Sequence, residues 1–146
     1  MQIDSSVFIT DPPLVQLFQN QAVPLPCDRD RVLFFEGEDP VGLYILSKGS
    51  ADLSWSGPDG QYEVAFQATA PSLIGLPCLL DGEPHPFTLM AHSGAKISFV
   101  SLYKFALMLE FDQMLARRAL EALAAEARFT QRAILERFRE AAGNAA

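Results

Sequence analysis

At 146 residues the chain is about one domain long, enough to bury a core without disulfides or a structural metal. Hydrophobic residues make up 49% and charged residues 20%, with 11 Phe, which excludes a disordered chain; apolar runs such as Leu73 to Leu80 fall far short of the roughly 18 to 20 residues that a membrane span needs. Eleven Lys and Arg against 18 Asp and Glu leave a net charge of −7, which argues against a protein that grips a phosphate backbone through clustered cations.

That charge is uneven. Residues 1–112 hold 14 acids and 5 bases, a net of −9, whereas residues 113–146 hold 4 acids and 6 arginines, a net of +2. The opening Met1-Gln2-Ile3-Asp4 lacks a basic region, an apolar region and a lipid-attachment motif, so the expected compartment is the cytoplasm. Cys27 and Cys78 stand 51 positions apart with no CxxC spacing, and are read as buried free thiols.

In chain order, Asp11-Pro12-Pro13 opens the apolar pattern Leu14, Val15, Leu17 and Phe18. Asp suits a cap and Pro suits a first turn, so residues 12–20 are expected to form a short helix. The period then changes. From about residue 22 to residue 100, short runs rich in Val, Ile, Phe and Tyr are broken by turn residues every 8 to 12 positions, the spacing of an all-β sandwich or barrel. The predicted strands are Val32–Phe35, Gly42–Ser47, Ala51–Trp55, Tyr62–Thr69, Phe87–Ala91 and Lys96–Val100. Ala51, Leu53 and Trp55 alternate with Asp52, Ser54 and Ser56, the pattern of a strand with one wet face, and Gly57-Pro58-Asp59-Gly60 reads as a hairpin turn.

After Val100 the strand signal stops. Ser101 followed by Leu102, Phe105, Ala106 and Leu109 predicts a helix of about ten residues; Asp112 then caps a second, because residues 113–142 hold neither Gly nor Pro until Gly143. At about 1.5 Å per residue this second helix would run roughly 45 Å, more than one small β domain covers. Its apolar positions fall mostly three or four apart, so Leu120, Leu123, Ala127, Ile134 and Phe138 are expected to form a homodimer seam.

Taken together, the turn and strand residues Val32 through Asp39, Leu43 through Gly49, Asp59-Gly60 and Gly75 through Gly82 resemble the cyclic-nucleotide-binding domain family, the effector half of catabolite-activator-type regulators, over roughly residues 20–135. The resemblance implies a mainly β fold with α elements: a β-roll of jelly-roll character over about 22–100, a short N-terminal helix, and C-terminal helices over about 101–142, in a single domain spanning 1–146. It places Gly37 and Gly49 at tight turns, and a phosphate-binding cassette on Gly75, Leu76, Pro77, Cys78, His85, Pro86 and Phe87. Leu76 stands where the family has the Glu that accepts from the ribose hydroxyl, and His85 where it has the Arg that pairs with the cyclic phosphate. An Arg is a permanently charged fork, whereas His is mostly neutral at pH 7 and offers one donor. Thr130 falls about where the family presents a hydroxyl to the base, or else is a polar break in the helix seam.

Little in the sequence points to catalysis. There is no nucleophile elbow, Walker loop, GxGxxG or HExxH, and two histidines, His85 and His92, are too few for a cupin-type metal site. No catalytic residue, metal or cofactor is expected. Glu36, Glu38 and Asp39 read as a solvated acidic turn, since the ligand spacing of a calcium loop is missing. His85, between Pro84 and Pro86, is either ligand-facing or a surface-loop side chain, and His92 is a turn residue. Arg117 with Glu121 and Arg132 with Glu136 are spaced to pair along the helix.

The expected function is a non-catalytic regulatory module that does not hold cyclic AMP or cyclic GMP tightly, with an unidentified small molecule as a possible ligand. Two alternatives stand beside it: a cyclic-nucleotide or small-anion binder using His85 and backbone amides, and a scaffold for dimerisation or docking to a partner protein. No helix-turn-helix follows the long helix, so neither DNA nor a membrane is an expected partner.

Overall fold

The computed structural model describes residues 12–75, 78–79, 82–118, 121 and 139. Among these residues, eight strands form two four-stranded antiparallel sheets. The strands are β1 (Val23–Leu25), β2 (Arg31–Phe34), β3 (Gly42–Lys48), β4 (Ser50–Ser56), β5 (Tyr62–Thr69), β6 (Ser72–Ile74), β7 (Thr88–Ala91) and β8 (Lys96–Ser101). One sheet runs β1-β8-β3-β6 and the other β2-β7-β4-β5, and helices α1 (Pro12–Gln19) and α2 (Leu102–Phe111) belong with the first.

The expected β-roll with a short N-terminal helix is therefore present, and Tyr62–Thr69 coincides with its predicted span. Two three-residue strands were not legible. β1 contains Pro24, which removes a ladder donor and is tolerated because β1 lies at a sheet edge, its residues facing Phe99, Ser98 and Ile97. β6 is equally short and also lies at an edge, pairing only with β3. The strand predicted to reach Phe35 stops at Phe34; Phe35 turns outward and is 50% exposed. The strand predicted from Phe87 begins at Thr88.

The two sheets enclose an inner core that includes Phe34, Tyr44, Leu46, Leu53, Phe66, Phe87, Leu89 and Ile97. A second core lies on the outer face of the first sheet, where Leu43, Ile45, Leu73 and Val100 meet Leu14, Val15 and Phe18 of α1 and Phe105 of α2. Phe18 stacks on Phe105 at 5.6 Å between ring centroids. β3 thus buries both faces, which is why Leu43-Tyr44-Ile45-Leu46 is apolar without alternation. β4 has one covered face and alternates as expected, with Ala51 and Leu53 buried and Asp52 and Ser54 on the wetter side.

Local signals set the connections. The Gly57–Gly60 turn closes with Gly57 N–H donating to Gln61 O at 2.7 Å, and Gly60 takes φ +81°, where a Cβ would be strained. Ser101 Oγ caps α2 by accepting from Lys104 N–H at 3.2 Å, and Asp112 Oδ1 accepts from Leu115 N–H at 3.0 Å to start the next helix, described over 113–118. Arg117 and Glu121 approach to 3.9 Å in the open, a contact of little energetic weight. The seam residues Leu120, Leu123, Ala127, Ile134 and Phe138, like Thr130, lie outside the described residues.

Gly42 shows how closely β3 and β8 approach. A Cβ there would meet the Phe99 ring at 2.2 Å and the Val100 carbonyl oxygen at 2.4 Å, and the carbonyl cannot move without breaking the ladder. Gly42→Ala is expected to cost about 3 kcal/mol, the upper end of the usual overpacking range, read as a lowered urea midpoint at unchanged slope.

Candidate functional site

Of the expected cassette residues that are described, Gly75 and Cys78 lie against the segment that carries His85. His85 is not a surface side chain. Its residue is 3% exposed, and its imidazole lies flat on the Phe34 ring with centroids 3.6 Å apart and planes 11° from parallel. The surface-loop alternative is thereby corrected. Pro84 and Pro86 restrict the backbone but do not push the segment into solvent, because His85 N–H donates to Glu38 O at 2.9 Å and Gly37 N–H donates to His85 O at 2.8 Å. These two bonds clip the cassette to the β2–β3 loop. Gly75, at φ +97°, closes the other side: a Cβ on it would stand 3.6 Å from His85 Cε1.

Burial lowers the His85 pKa from its ordinary value, and the Glu38 carboxylate offsets this only in part. The ring is accordingly neutral at pH 7. Nearby, Tyr44 donates its hydroxyl to Leu33 O at 3.3 Å and packs against Phe34 and Phe99. Burial, seconded by Glu38, raises the Tyr44 pKa against a smaller opposing pull from Arg31, so this phenol is also neutral.

The other predicted cassette residues divide. Gly75 and Cys78 are buried beside His85's segment; Leu79 N–H donates to Gly75 O at 3.2 Å, Gly82 N–H to Cys78 O at 2.9 Å, and the Cys78 thiol points to Pro84 O at 3.9 Å. Pro86 is half-buried. Phe87 belongs to the inner core, edge-on to Phe66 at 4.8 Å and 5.2 Å from Trp55. Leu76 and Pro77 lie outside the described residues. Cys27, the second thiol, is buried, free and directed at backbone oxygens, with His92 O at 3.3 Å.

The acidic turn is built from caps. Glu36 Oε2 accepts from Ser56 N–H at 3.1 Å and from Ser56 Oγ at 2.8 Å, while Glu38 Oε1 accepts from Phe35 N–H at 3.2 Å. Glu36 N–H in turn donates to the buried Thr88 hydroxyl at 2.9 Å. No group of three or more metal-ligating side chains occurs among the described residues. His92, in the β7–β8 turn as expected, brings Nε2 within 3.0 Å of Asp52 Oδ1 on the outer face of the roll. Away from the cassette, an open groove of about 250 Å³ lies between α1 and α2, bordered by Leu17, Met108, Phe111 and Leu115.

The cyclic nucleotide-binding domain profile matches residues 25–111, more than half of the chain and all of the roll from the end of β1 through α2. The chain belongs to the cyclic nucleotide-binding domain family. No curated protein sequence matches it significantly. Its fold is similar to that of the N-terminal domain of a transcriptional regulator from Streptomyces coelicolor, with TM-score 0.66 and 24% identity over 88% of this chain and 90% of that one. It is also similar to the Thermus thermophilus catabolite activator protein, with TM-score 0.71 and 19% identity over 90% of this chain and 60% of that one. The c-di-GMP-responsive global regulator of Xanthomonas campestris superposes with TM-score 0.68 at 16% identity, over 90% of this chain and 63% of that one. Among the described residues no helix is long and apolar enough to cross a membrane.

Within this cyclic nucleotide-binding domain, Phe34 and Glu38 are the site residues that sequence reasoning missed. Phe34 reads as ordinary strand filler, and only its facing partner gives it a role. Phe34→Ala removes a 5% exposed ring and the platform under His85, so a loss of about 3 to 5 kcal/mol is expected. Phe35→Ala, at its half-exposed neighbour, should stay within about 0.5 kcal/mol; chemical denaturation of both variants checks the contrast.

Proposed function

We propose that this chain is a non-catalytic regulatory module of the cyclic nucleotide-binding domain family whose cassette does not hold cyclic AMP or cyclic GMP tightly. The observation that carries this reading is His85. The position the resemblance gives to a phosphate-pairing Arg holds a buried imidazole, stacked on Phe34 and kept neutral by its surroundings. Replacing a buried charge-assisted partner costs on the order of 2 to 5 kcal/mol, or about 30-fold to 5,000-fold in affinity, which takes a micromolar site out of a useful range. Leu76, at the position of the ribose-binding Glu, removes a second polar anchor in the same reading. Either a different small ligand or none is then the natural occupant.

Isothermal titration at pH 7.5 with cyclic AMP and cyclic GMP is expected to give no dissociation constant of micromolar strength or tighter. Such a constant for either nucleotide overturns the reading in favour of an anion site formed by His85 and cassette amides.

The module is further proposed to be a homodimer. The support is the apolar spacing of Leu120, Leu123, Ala127, Ile134 and Phe138 in a segment without Gly or Pro. Sedimentation velocity at micromolar concentration should give a dimer, and Leu123→Glu with Ile134→Glu should split it. A monomeric wild-type protein removes the proposal.

A further inference from the structure

We propose that His85 is an acid-operated latch that holds the outgoing limb of the cassette, Glu83–Phe87, against the β2–β3 loop when neutral and lets go of it when protonated. This goes beyond the absence of tight cyclic-nucleotide binding and does not depend on it.

The geometry makes the ring a tie between the two sheets. On one side it lies on Phe34 of β2, and on the other it faces Gly75 at the end of β6, strands that belong to different sheets. Its own backbone is paired in both directions to the β2–β3 loop, through Glu38 O and Gly37 N–H. Moving the ring therefore moves the segment on which both bonds sit. Pro84 and Pro86 bring no N–H of their own, so across 84–86 the backbone donor is that of His85.

A charge on the ring is poorly met here. Among the described residues, the carboxylate that acts on the ring is that of Glu38 in the β2–β3 loop; Tyr44 of β3, packed on Phe34, is neutral, the Cys78 thiol is turned to Pro84 O, and Glu83 is exposed. Glu36 is engaged by Ser56 and Arg31 by Pro26 O at 2.8 Å. Glu38 draws a proton towards the ring, but its carboxylate is already accepting from Phe35 N–H. An imidazolium on the Phe34 face would gain cation–π attraction, but less than the cost of burying the ion. Desolvation prevails, in line with the lowered pKa.

The sign of the pH dependence follows. A ring released to solvent titrates at its ordinary value near 6.5, while the stacked ring requires a lower pH. Between those two values the open form binds more protons than the closed one, so the latch is firmest above about pH 6.5 and weakens as pH falls through the window below it. With one proton linked to opening, the opening constant rises by up to about tenfold per pH unit there.

Hydrogen exchange followed by NMR tests this on the full chain. The amides of Gly37 and His85 report the two clip bonds, and protection factors remove the intrinsic pH dependence of exchange. Protection at both is expected to fall by up to about tenfold per unit below pH 6.5. The slope should persist in His92→Gln, persist at lower pH in Glu38→Gln, and vanish in His85→Phe, which keeps an aromatic stack that cannot be protonated. The imidazole Hε1 resonance of His85 in the wild-type protein supplies a readout that needs no variant, with its midpoint expected below 6.5. A midpoint at or above 6.5, protection independent of pH, or an unchanged slope in His85→Phe each overturns the latch.

Discussion

The double burial of β3 is the constraint from which the rest of the molecule is organised. Leu43 and Ile45 face the helices, Tyr44 and Leu46 face the inside of the roll, and all four side chains are buried. At about 1.5 to 3 kcal/mol each they contribute roughly 6 to 12 kcal/mol, an upper estimate that is nonetheless as large as the whole net stability of a typical domain. Neither core can be emptied without disturbing the other, because successive residues of one strand belong to alternate sides. The helices are therefore part of the folded unit. They supply the cover that lets β3 be apolar on both faces, and the Phe99 ring and Val100 carbonyl of β8 leave no room for a Cβ at Gly42.

Most of this architecture is legible in the amino-acid sequence because the signals are local. The alternation of β4, the Gly57–Gly60 turn, Ser101 as a cap and the unbroken apolar run of β3 each report on a few neighbouring residues. What stayed hidden is set by distant partners. β1 carries Pro24 and spans three residues, so nothing in the strand itself announces it; it exists because β8 offers an edge. The same holds for the site. The glycines at 37 and 49, expected at tight turns, do take positive φ. That the His85 ring would be buried rather than wet could not be read, since the deciding partner, Phe34, lies 51 residues upstream and looks like any other strand residue.

The contrast between an arginine and a stacked histidine is one of hydration as much as of charge. A guanidinium at the mouth of a β-roll must keep water or an anion within reach, because its charge cannot be switched off. An imidazole can shed its proton and join the aromatic wall formed with Phe34, Tyr44 and Phe99. The described limb of the cassette that carries His85 is held by backbone pairing and ring contact.

The strand order also carries a kinetic consequence. Among the described residues only β4 and β5 pair across a tight turn; β1 meets β8, β2 meets β7 and β3 meets β8, pairings that close loops of about 48 to 76 residues, from Lys48 opposite Lys96 to Val23 opposite Phe99. The entropy of closing such loops must be lost before the contacts form, which places this topology with β-sandwiches that assemble in milliseconds to seconds. During that interval the β4–β5 hairpin can form alone, but its inner face, Leu53 and Phe66, has nothing to lie against. The nascent chain therefore exposes an apolar hairpin until its last strand arrives, and β8 is the piece of sequence whose synthesis ends that exposure.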